Sequence, residues 1–286
     1  MDTELFFREI MPRMEDYGRY ALAMQKGVFS KDKELSESDA ENALTDADFM
    51  VEEGLLRFFL EKKYNFRILA EEDSPYVDKF SKEGDMLVVM DPIDGTLRYK
   101  KGFENFGMII SVFKKGILDG TLLHTPYDEK FYWATQENEI ALSGFYHSDK
   151  LTFSHGGFGI SSIGRRNSNI IKTNILPEDK EKIFNAKGLT INQSKKDNRD
   201  FRFGLNSILT EEIDGYFMKE APCLDWGAIS LIVEKAGGIV TDFNGERNDI
   251  HRYFGRNDGT KEGCIPSLIV ANNHKTHETL VELLKD

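Results

Sequence analysis

The stretch Met86-Leu87-Val88-Val89-Met90 is an unbroken apolar run, and it stops at Asp91-Pro92-Ile93-Asp94-Gly95-Thr96. Such a run reads as a strand. Its end carries two aspartates three positions apart, whose like charges repel. Pro and Asp-Gly are turn residues, so a plain turn accounts for the segment without any chemistry. A chemical reading requires more acidic groups at neighbouring strand ends, and the remainder of the chain supplies them.

With 286 residues the chain can bury a large core, as one big domain or two smaller ones. An apolar share of 40% and a charged share of 30% describe an ordinary globular protein. The acidic balance, 49 Asp+Glu against 37 Lys+Arg, argues against a nucleic-acid or anionic-membrane partner. An acidic protein that handles phosphate needs a cation to mediate the contact. Charge interrupts the N-terminal segment every few residues, so no signal-peptide core is expected, and no segment approaches a membrane span. Cys223 and Cys264 form neither metal-type nor redox spacing, and a reducing, cytoplasmic setting is expected.

Leu5, Phe6, Ile10, Met14, Tyr17 and Ala21 recur at three to four, which predicts a packed N-terminal helix. A second helix is expected over 46–62, with Thr45 or Asp46 near its cap and Val51, Leu55, Phe58 and Phe59 on its buried side. Strands are predicted at 66–69, 86–90, 107–113, 117–124 and 130–134, the last three antiparallel and joined by turns such as Lys115-Gly116. The polar, Gly-rich stretch at 148–156 reads as a boundary, giving an α+β half over 1–150 and an α/β half over 151–286. In the second half strand-like segments lie at 188–191, 202–207, 215–218, 239–243 and 267–271. Helices are predicted at 225–236, stopped by Gly237-Gly238, and at 277–285.

Three acidic features sit at the ends of apolar runs: Glu71-Glu72, the pair Asp91 and Asp94, and Asp225. Strand ends in layered α/β folds are where sites collect, because loops converge on one edge. Carboxylates crowded there repel unless a cation sits among them, and hard oxygen ligands suit Mg²⁺. Taken singly, each has a plain alternative. Glu71-Glu72 reads as a solvated loop, Asp225 as a helix cap, and Asp48 as first-turn helix charge.

Read jointly, the residues resemble the inositol monophosphatase family. Residues 91–96 match its signature Asp-Pro-(Ile/Val/Leu)-Asp-Gly-Thr throughout. "EED" precedes it, "LTDADFMVEE" is similar to the family's Thr-x-x-Asp-x-x-Val-Glu helix start, and "LDWGAISLIVEKAGG" resembles the second signature. The resemblance implies a layered αβαβα sandwich, commonly dimeric, that hydrolyses a small-molecule phosphomonoester with two or three Mg²⁺ ions and is lithium-sensitive. It implies that Glu71, Asp91 and the Ile93 carbonyl hold the tight ion, and that Asp91, Asp94 and Asp225 hold the second. A third, weaker ion would sit by Glu71. Asp48, Glu71 and Thr96 would orient and deprotonate the attacking water, and the Gly95 and Thr96 amides would bind phosphate.

Departures limit the substrate assignment. Leu97-Arg98-Tyr99 follows Thr96 where many members carry Asn then Phe, a spacing closer to the histidinol-phosphatase branch. Leu224 replaces the usual Trp before the second-signature aspartate, and Met218 stands where inositol-hydrolysing members place a hydroxyl-binding acid. Arg98 and Met218 are therefore candidate substrate contacts. Arg98, Lys100, Lys101, Arg165 and Arg166 read either as solvated charge or as an attraction for anions. Histidinol-phosphate phosphatase and 3′,5′-bisphosphate nucleotidase are alternatives among enzymes. A phosphate-binding relative without turnover is the alternative outside them.

Overall fold

The computed structural model describes residues 1–29, 37–72, 74–147, 150–153, 170–173, 187, 190–193, 204–224, 226–247, 251–252 and 264–285. The chain divides into two units, Met1–Gln136 with Leu142–Gly156, and Glu137–Ala141 with Gly157–Asp286. Both units mix helix with sheet.

In the first unit, α1 (Thr3–Phe29) and α2 (Glu37–Glu61) precede β1 (Arg67–Ala70), β2 (Met86–Asp94) and the short α3 (Thr96–Lys100). Then come β3 (Gly107–Lys114), β4 (Ile117–Thr125), β5 (Lys130–Thr135), β6 (Leu142–His147) and β7 (Lys150–Phe153). These strands form one sheet in chain order. The β1/β2 pair is parallel and every later neighbour antiparallel. Lys115 and Gly116 both take positive φ, 51° and 77°, the pairing that matches a two-residue turn to strand twist.

The three-to-four spacing of α1 sets Phe6, Phe7, Ile10, Met11 and Met14 into a core shared with Val51, Leu55, Leu56 and Phe59 of α2. The sheet contributes Val88, Met90, Ile110, Val112, Leu122 and Trp133 to the same core. The alternate residues Leu87, Val89, Ile109 and Phe113 are buried too, so β2 and β3 have no wet face. An apolar run without alternation is what such a strand requires.

The second unit contains β8 (Ile170–Thr173), β9 (Thr190–Gln193), β10 (Gly215–Pro222), α4 (Trp226–Lys235), β11 (Ile239–Thr241), β12 (Cys264–Ala271) and α5 (His274–Leu284). Its sheet runs β11-β12-β10-β8-β9, with β10, β8 and β9 parallel and the remaining pairs antiparallel. Ile171, Phe217 and Ile269 pack with Leu280 and Leu284 of α5. Asn273 caps α5 by accepting the Thr276 amide at 2.8 Å. Gly237 ends α4 at φ 93°, and the Gly238 amide returns to the Val233 carbonyl at 2.9 Å.

Several elements differ from the sequence expectation. Helix α2 begins at Glu37, so Thr45 and Asp46 lie inside it and not at its start. Strand β2 continues through Asp94, with a register shift between Asp91 and Asp94 in place of a turn. Polar 148–156 contains β7. Residues 205–208 form a 3₁₀ turn where a strand was expected, and 202–203 lie outside the described residues. Among the described residues no helix is long and apolar enough to cross a membrane.

Candidate metal centre

Parallel pairing sets Ala70 opposite Met90, so the next residue of each chain brings Glu71 to Asp91. The two carboxyls share a hydrogen bond. Asp91 is buried, and its Oδ1 has no hydrogen-bond partner. Burial first, then the charges of Glu71 and Asp94, push its pKa well above the carboxylate range.

Asp48 reaches the same group from α2. It is 0% exposed, and neither carboxyl oxygen has a hydrogen-bond partner. Burial, followed by the charges of Glu72, Glu71 and Glu52, drives its pKa up to about 9, with Lys100 opposing. One helical turn on, buried Glu52 accepts the amides of Glu72 at 2.7 Å and Ser74 at 3.2 Å. Glu52 thereby ties the loop after β1 to α2 and fixes where Glu71 and Glu72 begin.

The strand end is held just as firmly. Gly95 takes the left-handed conformation at φ 84° and ψ 38°, which bends the chain from β2 into α3. A Cβ there would run into the Arg98 guanidinium. The Thr96 hydroxyl donates to the Ile93 carbonyl at 3.3 Å. Tyr99 is fully buried and donates to the Ala21 carbonyl at 2.7 Å. Gln25 donates to the carbonyls of Tyr99 and Phe103, both at 2.9 Å. Helix α1 thus braces the motif, and Glu52, Tyr99 and Gln25 went unassigned in the sequence because their partners are distant in the chain.

Arg98 is committed within this unit: Nη2 meets Asp94 Oδ2 at 2.7 Å, and Nε donates to the Asn105 carbonyl at 3.1 Å. Met218 lies in β10 opposite Leu268, 3% exposed and apolar in its setting. Asp225, Arg165 and Arg166 lie outside the described residues.

Among the described residues no three His, Cys, Asp or Glu side chains converge as a ready-formed metal cage. The donor set nevertheless fits a hard divalent cation. It is all oxygen and mutually repelling, and three buried carboxyl oxygens of Asp48 and Asp91 are unpartnered.

Comparison with known proteins gives this fold and site a family. The model of the inositol monophosphatase family matches residues 15–286, and the chain belongs to that family. It is 25% identical over 232 residues to an inositol monophosphatase of Dictyostelium discoideum, covering 79% of this chain and 81% of that one. It is 24% identical over 208 residues to the Nus factor SuhB of Pasteurella multocida, covering 71% and 72%. The solved structure of inositol monophosphatase-II from Staphylococcus aureus superposes with a TM-score of 0.66 at 16% identity, over 99% of this chain and 96% of that one. An IMPase/NADP phosphatase solved with Mg²⁺ and phosphate gives 0.58 at 19% identity, over 83% and 80%. The mixed α/β architecture is therefore that of the family.

Proposed function

We propose that this chain is a Mg²⁺-dependent phosphomonoesterase acting on small alcohol, polyol or sugar monophosphates. Family membership supports a phosphatase of the inositol monophosphatase type. The observation that carries the finer reading is the three buried carboxyl oxygens without a hydrogen-bond partner, both of Asp48 and Oδ1 of Asp91, beside Glu71. Groups so crowded raise one another's pKa and destabilise the fold unless a cation joins them. The solved relative that holds Mg²⁺ and phosphate agrees with that cation.

Glu71, Asp91, the Ile93 carbonyl and Asp94 hold the ions in this reading, together with Asp225, which the second signature assigns to them. When bound, Mg²⁺ supplies charge for the phosphoryl oxygens and makes the attacking water easier to deprotonate. Asp48, Glu71 and Thr96 orient that water and accept its proton. The Gly95 and Thr96 amides donate to phosphate, and the absence of a side chain at 95 permits the close approach. No group of the chain needs to become covalently modified.

The test is phosphate release from a panel that includes inositol, sugar, histidinol and nucleotide monophosphates. Release from at least one member with Mg²⁺, abolished by a chelator, is expected. Full release in excess chelator, or none from any member with Mg²⁺, would refute the reading.

A further inference from the structure

The guanidinium of Arg98 lies against Asp94, the second carboxylate of the Asp-Pro-Ile-Asp-Gly-Thr signature. Asp94 and Arg98 are four residues apart, yet they do not sit on a single helix. The left-handed turn at Gly95 folds the start of α3 back over the end of β2, and this returns Arg98 to Asp94. Only a residue without a side chain leaves room for the guanidinium at 95. The pair is enclosed, with 11% of the Arg98 side chain and 7% of the Asp94 side chain exposed. Asn105 holds the guanidinium from its other side through Nε at 3.1 Å. A solvated surface arginine has none of these restraints.

We propose that Arg98 is a built-in counter-ion of Asp94 that competes with a divalent cation for this carboxylate. It thereby sets how much Mg²⁺ the chain needs to fill its second ion position. The inference rests on the phosphatase reading and deepens it. Two cations drawn to one enclosed carboxylate repel each other, and each takes up charge the other would neutralise. With the cation absent, Arg98 offsets one negative charge in a crowd that also contains Asp48, Glu71 and Asp91. With the cation present, the same guanidinium opposes its entry. The chain is stabilised without metal and binds metal more weakly at Asp94.

The experiment compares the wild-type chain with Arg98→Gln, which keeps a polar, planar end and removes the charge. Mg²⁺ binding is measured by calorimetry, and melting temperature is followed as Mg²⁺ is raised from zero. The variant should melt lower without Mg²⁺, and its second ion position should bind Mg²⁺ on the order of tenfold more tightly. Its melting temperature should then approach the wild-type value as Mg²⁺ rises. A merely structural role would lower melting equally at every Mg²⁺ concentration, and that outcome overturns the proposal. So does unchanged or weakened Mg²⁺ affinity in the variant. Should the metal-free Gln variant fail to fold, Arg98→Lys, which keeps the charge, decides. Affinity within about threefold of wild type supports the proposal, and tightening overturns it. Absence of Mg²⁺ binding to the wild-type chain would instead defeat the phosphatase reading, and the inference with it.

Discussion

Asp91 is a residue whose burial costs the fold stability and whose charge the proposed ion site requires. Its carboxyl is buried, one oxygen is unpartnered, and three other carboxylates raise its pKa. Asn has nearly the same shape and no charge to desolvate. Asp91→Asn should therefore stabilise the metal-free chain at neutral pH, seen as a higher melting temperature. The same substitution should lower phosphate release by on the order of a hundredfold or more, through lost ion affinity and charge. Thermal melting in chelator, set beside turnover in Mg²⁺, checks both. A variant that is less stable and equally active would contradict the assignment.

Asp91, Asp94, Gly95 and Thr96 were legible in the sequence because they are contiguous and follow an apolar strand. Glu52 closes the helix motif, but its role was not legible, since its partners are backbone amides 20 and 22 residues away. Tyr99 and Gln25 were hidden for the same reason, because a hydrogen bond to a carbonyl 78 or 74 residues distant leaves no local pattern. Arg98 was read as a substrate contact or surface charge. Only the turn at Gly95 reveals that it answers Asp94.

Elements were legible where burial enforced a period. The face of α1 and the strands β3 to β5 emerged from spacing alone. The start of α2 did not, because Thr45 and Asp46 are good caps by type, although the helix continues through them. Strand β7 was missed since its polar setting imitates a loop. Packing of α1 on the sheet also buries a titratable pair that no motif announces. Glu15 of α1 is ion-paired to Arg19 at 2.9 Å and lies 3.5 Å from His124 of β4. His124 stacks on Phe131 at 4.1 Å and contacts the Lys130 carbonyl through Nδ1 at 3.2 Å. Burial raises the Glu15 pKa to about 7, helped by Glu129 and opposed by Arg19. Burial lowers His124 to about 3, and Arg19 adds to the effect.

The signs of these two groups oppose each other. A carboxyl with a raised folded pKa favours the fold most below its unfolded pKa, and that stability is lost as pH rises to about 7. A histidine with a depressed folded pKa favours the fold above its unfolded pKa, and that stability is lost as pH falls towards about 3. Between these limits the two contributions partly cancel. Relative to wild type, Glu15→Gln should gain stability as pH rises from about 5 to 8, and His124→Gln should gain it as pH falls from about 7 to 4. Melting curves across pH for each variant check this, and parallel profiles would contradict the paired burial.

At the scale of the whole molecule, a seven-stranded and a five-stranded sheet form the cores of two units. Family membership and the α/β class were legible because short signatures carry them. The alcohol of the proposed reaction was not, because in the family they resemble those signatures address metal and phosphate. The central claim is that the crowded carboxylates are an ion site. Without metal, Asp48, with its pKa at about 9, is protonated at neutral pH, and Asp91 is shifted in the same direction. A divalent cation bound among these carboxyls favours their ionised forms and so drives protons off. The direct test is calorimetric titration of the chelator-stripped chain with Mg²⁺ at neutral pH, in two buffers of different ionisation enthalpy. Binding with release of about one proton or more, seen as a buffer-dependent heat, is the result predicted. No binding at millimolar Mg²⁺, or binding whose heat is the same in both buffers, would contradict it.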